Sequence, residues 1–450
     1  MNEKVHILIL IKLFFFNIIY CGNNFNNIFI NQQSFIIKYI NWNQDFLNKR
    51  SFVYPLHSLE IDDEVFNEYF INNLSSKYIK LSFQPKIESN VFNRTKFIID
   101  NILIFKLNDN LIWQNNFEFD SDGFDDNNYS GRLRKTSGKW TAYAQHSSFT
   151  KFYKNSHLLV GKVNISFLGQ AESLFLNSYH PPVPTIWWHL KNEKIILDQA
   201  ILFLDKIEHD YTRNLIFHRY ALKLNNFELG FTESLIVSYK NFSQTNINYF
   251  LPAAVFFEAE VNGSSNANLF WIFDGKYFNE KYLFYYELLV DDISIDRLSP
   301  NKIGLNISIL IKHNKFKSRL QYTRLNRWVG NYADENLRLI SNDIYLGNQI
   351  GPDAHKIEYS AFKMIENFSF LLKFGILEKG QGNIEEWPDG VEAGQNFGWS
   401  KERFPSGAIK KEKFVKMEFD YFFKNNKIAV EYLTSNRKKP SYKIGVMTYL

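Results

Sequence analysis

Cysteine is almost absent from this 450-residue chain: Cys21 is the single one, so no intrachain disulfide can form. Long apolar runs are missing as well. Beyond the first 21 residues nothing approaches the roughly 18 apolar residues of a spanning helix, and the best stretch, FLPAAVFFEAEV, carries Pro252 and Glu258. A helical membrane protein is thereby excluded. Charge is balanced, 52 Lys and Arg against 47 Asp and Glu, with no basic run of the kind that binds nucleic acid, so no nucleic acid partner is expected. There is no GxSxG elbow, HExxH, Walker A, CxxC or dinucleotide fingerprint. These absences argue against an enzyme and against a bound cofactor or metal.

What the chain has in abundance is aromatic residues: 44 Phe, 25 Tyr and 9 Trp make 17% of it. A membrane β-barrel has two places for such a surplus, its lipid face and its interfacial girdles. An AT-rich genome would give a similar composition to any protein. Residues 1–21 run from Lys4 through ILILIKLFFFNIIY to Cys21, a basic start and an apolar core too short to anchor, which reads as an export signal. Cys21 suggests a lipoprotein signal, but Tyr20 stands where a small residue is needed. Residues 22–76 read as an Asn-rich lead followed by one helix, in which Ser58 can cap and Leu59, Val65, Phe66, Tyr69 and Phe70 fall near helical spacing.

From residue 77 to 450 the period is two. Near the end, Val415, Met417, Phe419, Tyr421 and Phe423 alternate with Lys416, Glu418 and Asp420, and the chain closes on YKIGVMTYL. Ile303, Leu305, Ile307, Ile309 and Ile311 form an aliphatic stripe opposite Asn306 and Ser308, while Phe316, Leu320 and Tyr322 oppose Lys317, Arg319, Gln321 and Thr323. Asn225–Asn226 and Asn314–Lys315 punctuate hairpins. The fold class is therefore all-β: a transmembrane, antiparallel, up-and-down β-barrel of about 16–18 strands at typical barrel spacing, with a short N-terminal helical region. A large soluble sandwich or propeller would also alternate, but no propeller-length repeat is evident and many strands have a wholly aliphatic or aromatic face.

Two Gly-rich polar segments, 119–131 and 378–407, read as loops. Trp387 and Trp399 in the second lie among Asp389, Glu392, Gln395 and Asn396, which fits either a sugar platform or a membrane-interface girdle. Asp120, Asp122, Asp125 and Asp126 lack calcium-loop spacing and read as a solvated turn. His180 and His189 flank a Pro-rich bend and read as structural; Asp291 and Asp292 read as a hydrated pair at the rim.

Seven segments, in order, resemble the capsule assembly family of outer-membrane proteins typified by Wzi. YPLHSLEIDDEVFNEYF (54–70) resembles its helical element, GKWTAYAQHSSF (138–149) its first strong strand, and LGQAESLFLNSYHPPVP (168–184) its turn, Leu/Ser strand and Pro-Pro bend. RNLIFHRYALKLNNFELGFTES (213–234), LVDDIS (289–294) with SPNKIG (299–304), YTRLN (322–326) and GPDAHKIEY (351–359) resemble its later motifs. The glycine-rich turn is reduced here to Gly169, and the final residue is Leu450 where an aromatic is usual. The resemblance implies a cell outer membrane barrel acting without catalysis in attachment, assembly or export of capsular or extracellular polysaccharide. Its partners would be that polysaccharide, outer-membrane lipid and an export machine; the competing reading is a porin-like channel for small solutes.

The candidate ligand-binding residues are His218, Arg219, Glu233, Asp291, Asp292, Arg324, Asp353, Trp387 and Trp399. Charges on barrel strands are expected in the lumen or at a rim, because on the lipid face an Arg costs about 2–4 kcal/mol at the midplane. A lumen so lined forms either a closed network of ion pairs or a polar glycan site, in which Arg would pair uronic acid carboxylates.

Overall fold

The computed structural model describes Val53–Pro55 and residues 79–448, except 91–93, 109, 122–134, 138–139, 168–171, 178–179, 181, 209, 242–246, 252–253, 262–266, 293–300, 366, 386–403, 424–425 and 438–439. The signal segment, the helix read near 58–70 and Leu450 lie outside the described residues.

Among the described residues eighteen long strands close into one antiparallel barrel. They are β1 (Ile79–Asn90), β2 (Arg94–Asn108), β3 (Leu111–Asp120), β4 (Trp140–Phe152), β5 (Ser156–Val163) and β6 (Val183–Lys191). There follow β7 (Ile195–Leu204), β8 (Thr212–Leu224), β9 (Phe227–Tyr239), β10 (Ala267–Phe278), β11 (Tyr282–Asp292) and β12 (Lys302–Lys312). The last are β13 (Lys317–Leu325), β14 (Ala354–Ile365), β15 (Phe368–Lys379), β16 (Lys410–Phe423), β17 (Asn426–Ser435) and β18 (Ser441–Thr448). Each pairs with its sequence neighbour, and β18 lies beside β1. Full closure leaves no backbone edge unpaired, which a bilayer requires.

The connections sort by end. Those after β2, β4, β6, β8, β10, β12, β14 and β16 span two to four residues, while the other end carries 121–139, 164–182, 240–266, 326–353 and 380–409. Short turns face the periplasm and long loops the exterior in outer-membrane barrels. Asn225 and Asn226 join β8 to β9, and Asn225 has φ 51, the left-handed conformation that asparagine tolerates and a two-residue hairpin needs.

The alternation read from the sequence decides which side chains meet lipid. In β12 the burial strictly alternates, with Ile303, Leu305, Ile307, Ile309 and Ile311 turned outward and Asn306 and Ser308 inward. Leu320 and Tyr322 face outward on β13, and Gln321 and Thr323 inward. Phe149, Leu222, Phe273, Ile357, Phe374 and Phe419 continue the exposed apolar belt over the other strands.

The segment 240–266 departs from this scheme. Its 3-10 turn Ile247–Phe250 and short helix Phe256–Val261 lie on the outer wall, where Tyr249 and Phe256 cover Ile216, Leu235, Val237 and Ala267. Those positions alternate with Leu215, Phe217 and Ile236, which point into the barrel. A stretch of wall that would meet lipid is thus coated by the protein's own chain.

Closure by β18 generates a test. Truncation after Ser435 should leave β1 and β17 as open edges and abolish assembly, read as loss of the heat-modifiable band and of the protein from the outer-membrane fraction. A truncated protein that stayed folded in water would contradict the barrel.

Candidate functional site

Two of the long segments turn into the barrel and fill its lumen between β5 and β15. The first, 164–182, contributes Ile165–Phe167 and Leu174–Leu176, all without solvent exposure. The second, 326–353, contributes Val329, Leu337, Leu339, Leu346 and Ile350. They pack with wall residues Trp187, Phe217, Phe270 and Leu289 into one apolar core in the loop-side half. Phe167, Phe175 and Phe217 meet edge to face at 5.3–6.1 Å. Each such side chain, withdrawn from water, contributes roughly 1.5–3 kcal/mol. Ser173–Asn177, where the family resemblance implied a Leu/Ser strand, is no strand: it is irregular chain buried in the lumen.

Irregular backbone in that position needs hydrogen-bond partners, and buried wall side chains supply them. Arg213 of β8 donates from Nε to the carbonyl of Asn336 (2.6 Å) and from Nη2 to those of Arg338 (2.7 Å) and Ile340 (3.2 Å). Asn268 of β10 donates to Leu337 O, Lys302 of β12 to Asn331 O and Lys379 of β15 to Ile350 O. In the other direction the Asp291 carboxylate accepts from Gly330 N at 2.7 Å. Glu287 of β11 holds the first segment by accepting from Ser173 Oγ (2.8 Å) and Leu174 N (3.0 Å). Lys356 of β14 pairs with Glu172 at 2.6 Å. Burial would raise the Glu172 carboxyl, but Lys356, with Lys373 and Arg319, outweighs it and holds that carboxyl below the usual carboxylate range.

On the turn side of this core lies a layer of charge. Arg219 forks onto Asp274, Nη2 to Oδ1 at 2.7 Å and Nε to Oδ2 at 3.1 Å, and reaches Glu228 at 3.3 Å and Asp198 at 3.8 Å. Lys276 forms an ion pair with Glu228 at 3.3 Å, and His189 Nδ1 lies 2.6 Å from Asp198. Gly230 makes the fork possible: a Cβ there would stand 2.5 Å from Asp274 Oδ1 and 2.6 Å from Arg219 Nη2. On strands β15–β17 the inward side is more open, with Lys416 between Glu418 and Glu431 at 3.0 Å each.

The residues singled out in sequence do not converge on one pocket. Arg219 sits in the charge layer and Asp291 grips the second inserted segment; at 8% exposure Asp291 is buried, not hydrated as a rim carboxylate would be. Asp292 is half-buried opposite Lys302. Asp353, at φ 59, ties a third loop down by accepting from Gly382 N (2.9 Å), Ser406 N (2.9 Å) and Ser406 Oγ (2.5 Å). His218 and Glu233 correct the expectation that strand charges face lumen or rim water. Both point outward, and the coating segment hides them: Glu233 accepts from Phe256 N (2.9 Å) and Trp271 Nε1 (3.2 Å), and the His218 ring lies 4.4 Å from that of Phe256. Arg324 also points outward, at the loop end, with its guanidinium 3.9 Å from the Phe404 ring centre. Trp387 and Trp399 lie outside the described residues.

Sequence reasoning missed Arg213, Glu287 and Asn268. The signal was present for the first: Arg213 and Arg219 are six apart and share the inward face with Leu215 and Phe217, a mixture that water alone would not suit.

A closed, sequentially paired ring with an apolar outer belt and long loops at one end decides the class. The chain is an outer-membrane β-barrel. No family model and no curated protein matches it. Among solved structures, the barrel is similar to Wzi of Escherichia coli, an outer-membrane protein involved in group 1 capsule assembly and described as a carbohydrate-binding β-barrel. The TM-score is 0.62 at 11% identity, over 92% of this chain and 98% of that one. OpdK of Pseudomonas aeruginosa (TM-score 0.48, 10% identity, 83% and 98% covered) and OccAB2 of Acinetobacter baumannii (0.49, 10%, 82% and 96%) also match. At these identities the likeness is one of fold.

Arg219→Leu leaves Asp274, Asp198 and Glu228 facing one another without their cation and should cost about 3–5 kcal/mol, read as a lower urea midpoint for the folded form in liposomes. Arg213→Leu should instead free the inserted segment, read as new protease cleavage within 326–353 with the barrel band intact.

Proposed function

We propose that this barrel holds a surface polysaccharide at the cell exterior without transforming it, as part of capsular or extracellular polysaccharide attachment or export. The observation that carries the reading is the filled part of the lumen, between β5 and β15. Two inserted segments and a layer of paired charge occupy the space a solute would cross between β5 and β15, and both are fixed by bonds that a mobile gate would have to break. A porin-like channel needs that space to be wet. Function then falls to the outer surface, where Gly382 and Ser406 are tied to the rim through Asp353; Trp387 and Trp399 lie between these two in sequence, among Asp389, Glu392, Gln395 and Asn396. Indole faces beside carboxylates and amides suit sugar rings, stacking on C–H and hydrogen-bonding hydroxyls. The similarity of fold to a carbohydrate-binding barrel supports this reading. An export machine would be the partner that delivers the polymer.

Two measurements test it. In planar bilayers the purified protein should be electrically silent, and in a glycan-binding assay with acidic exopolysaccharide Trp387→Ala with Trp399→Ala should weaken retention about tenfold or more, on the basis of lost stacking at two platforms, with the barrel band unchanged. A large ohmic conductance in the wild-type protein would favour the solute channel instead.

A further inference from the structure

On the outer wall of β13–β16, four charged residues form one continuous cross-strand row. Arg324 is opposite His355, His355 opposite Glu378, and Glu378 opposite Lys411 in the pairing register. They face outward, sharing alternation with Leu320, Ile357, Phe374 and Met417, which are 40–51% exposed. The row is tied laterally: His355 Nε2 lies 3.1 Å and Lys411 Nζ 2.6 Å from the two oxygens of Glu378. Arg324 is held flat by the Phe404 ring and by its Nε bond to Asn326 (3.2 Å). Lys413, one pleat further down β16, is exposed, and Arg437 beyond β17 reaches back to the Lys411 carbonyl at 2.8 Å.

Along each of these strands the outward side chains change abruptly. Two residues toward the short-turn end, about 7 Å, Arg324 gives way to Tyr322, His355 to Ile357 and Glu378 to Ile376. Lys411 is followed by Lys413 and then by Val415, Met417 and Phe419. The row therefore stands where hydrocarbon ends, on the loop side, at the depth of the outer-leaflet headgroups. Among the described residues its charge is one-sided: Arg324, Lys411, Lys413 and Arg437 against the carboxylate Glu378. Among the described residues, no carboxylate forms an ion pair with Arg324, Lys413 or Arg437.

We propose that this row is a binding site for the phosphorylated headgroup of an outer-leaflet glycolipid, whose acyl chains lie against Ile357, Phe374, Met417 and Phe419. Phosphate oxygens accept from the Arg324 fork at one end of the row and from the Lys411 and Lys413 ammonium groups at the other, about 14 Å away across three strand spacings, and the apolar wall beneath takes the chains. A free phosphate would use the cations alone; a lipid uses both halves of the surface. Glu378 opposes the ligand while orienting Lys411 and His355, so its carboxylate sets an upper bound on affinity.

The test uses the full-length protein in dodecyl maltoside with bisphosphorylated lipid A as the probe, and dephosphorylated lipid A and inorganic phosphate as controls, read by native mass spectrometry and by lipid-dependent fluorescence. The wild type should bind the phosphorylated lipid, with each cation removed (Arg324→Gln, Lys411→Gln, Lys413→Gln) weakening binding about fivefold. Glu378→Gln should tighten it. This second variant keeps the test decisive if a cation variant folds poorly. Equal binding of the dephosphorylated lipid, equal binding by the triple cation variant, or equal affinity for inorganic phosphate would each overturn the proposal.

Discussion

A backbone that crosses a bilayer finds no water there, so each of its N–H and C=O groups must be paired within the protein. That constraint closes β1 onto β18 and makes every strand neighbour its sequence neighbours. It also bears on the interior. Irregular chain at membrane depth survives where a wall shields it and side chains complete its hydrogen bonds, and this is the role of Arg213, Asn268, Glu287 and Asp291 toward the two inserted segments. Arg213 is effective because a planar guanidinium presents several donors in fixed directions, enough for the carbonyl oxygens of Asn336, Arg338 and Ile340. A lysine at that position would serve fewer.

The interior combines two materials with different merits. The apolar core of Leu174–Leu176 with Phe217 and Phe270 supplies the stabilisation, since burial scales with area and asks for no exact partner. The charge layer around Arg219 supplies little net energy, because desolvating four ionised groups offsets much of their attraction. What it supplies is register. Asp198, Glu228 and Asp274 must arrive at one guanidinium from three strands, and Gly230 must leave the gap, so a slip of one residue between β7 and β10 would place carboxylates against Phe and Ile.

The barrel wall was legible in sequence wherever one face met lipid and the other did not. The stripe Ile303 to Ile311, the alternation at Leu320 and Tyr322 and the Asn225–Asn226 hairpin all carry local signals that the structure keeps. The inserted segments were not legible, for a physical reason. A short apolar run such as LFL at 174–176 is equally at home in a strand or in chain surrounded by wall, and nothing within it distinguishes them. The outward placement of His218 and Glu233 was hidden differently. Alternation assigns them the same face as Tyr220 and Phe231, but what makes that face habitable for a carboxylate is a segment twenty residues later whose backbone N–H groups reach it.

Glu233 and Arg324 then pose the same problem with two answers. A charge on the outer face of a barrel costs several kcal/mol if hydrocarbon touches it. At β9 the cost is avoided by coverage: the helix starting at Phe256 brings its unpaired N-terminal N–H groups to the Glu233 carboxylate, and Tyr249 and Phe256 keep lipid away. At β13–β16 no helix covers the cross-strand row among the described residues: Phe404 lies on the Arg324 guanidinium and 5.8 Å from the His355 ring, and Arg437 reaches the Lys411 carbonyl. There the charges are tolerable because they sit one pleat above the apolar belt, at a depth where the surrounding medium is itself ionic. Coverage fixes a loop to the wall, whereas exposure at that depth leaves the wall able to engage whatever anion the membrane presents. The two faces of one barrel thus differ in what they can do, although they obey one rule.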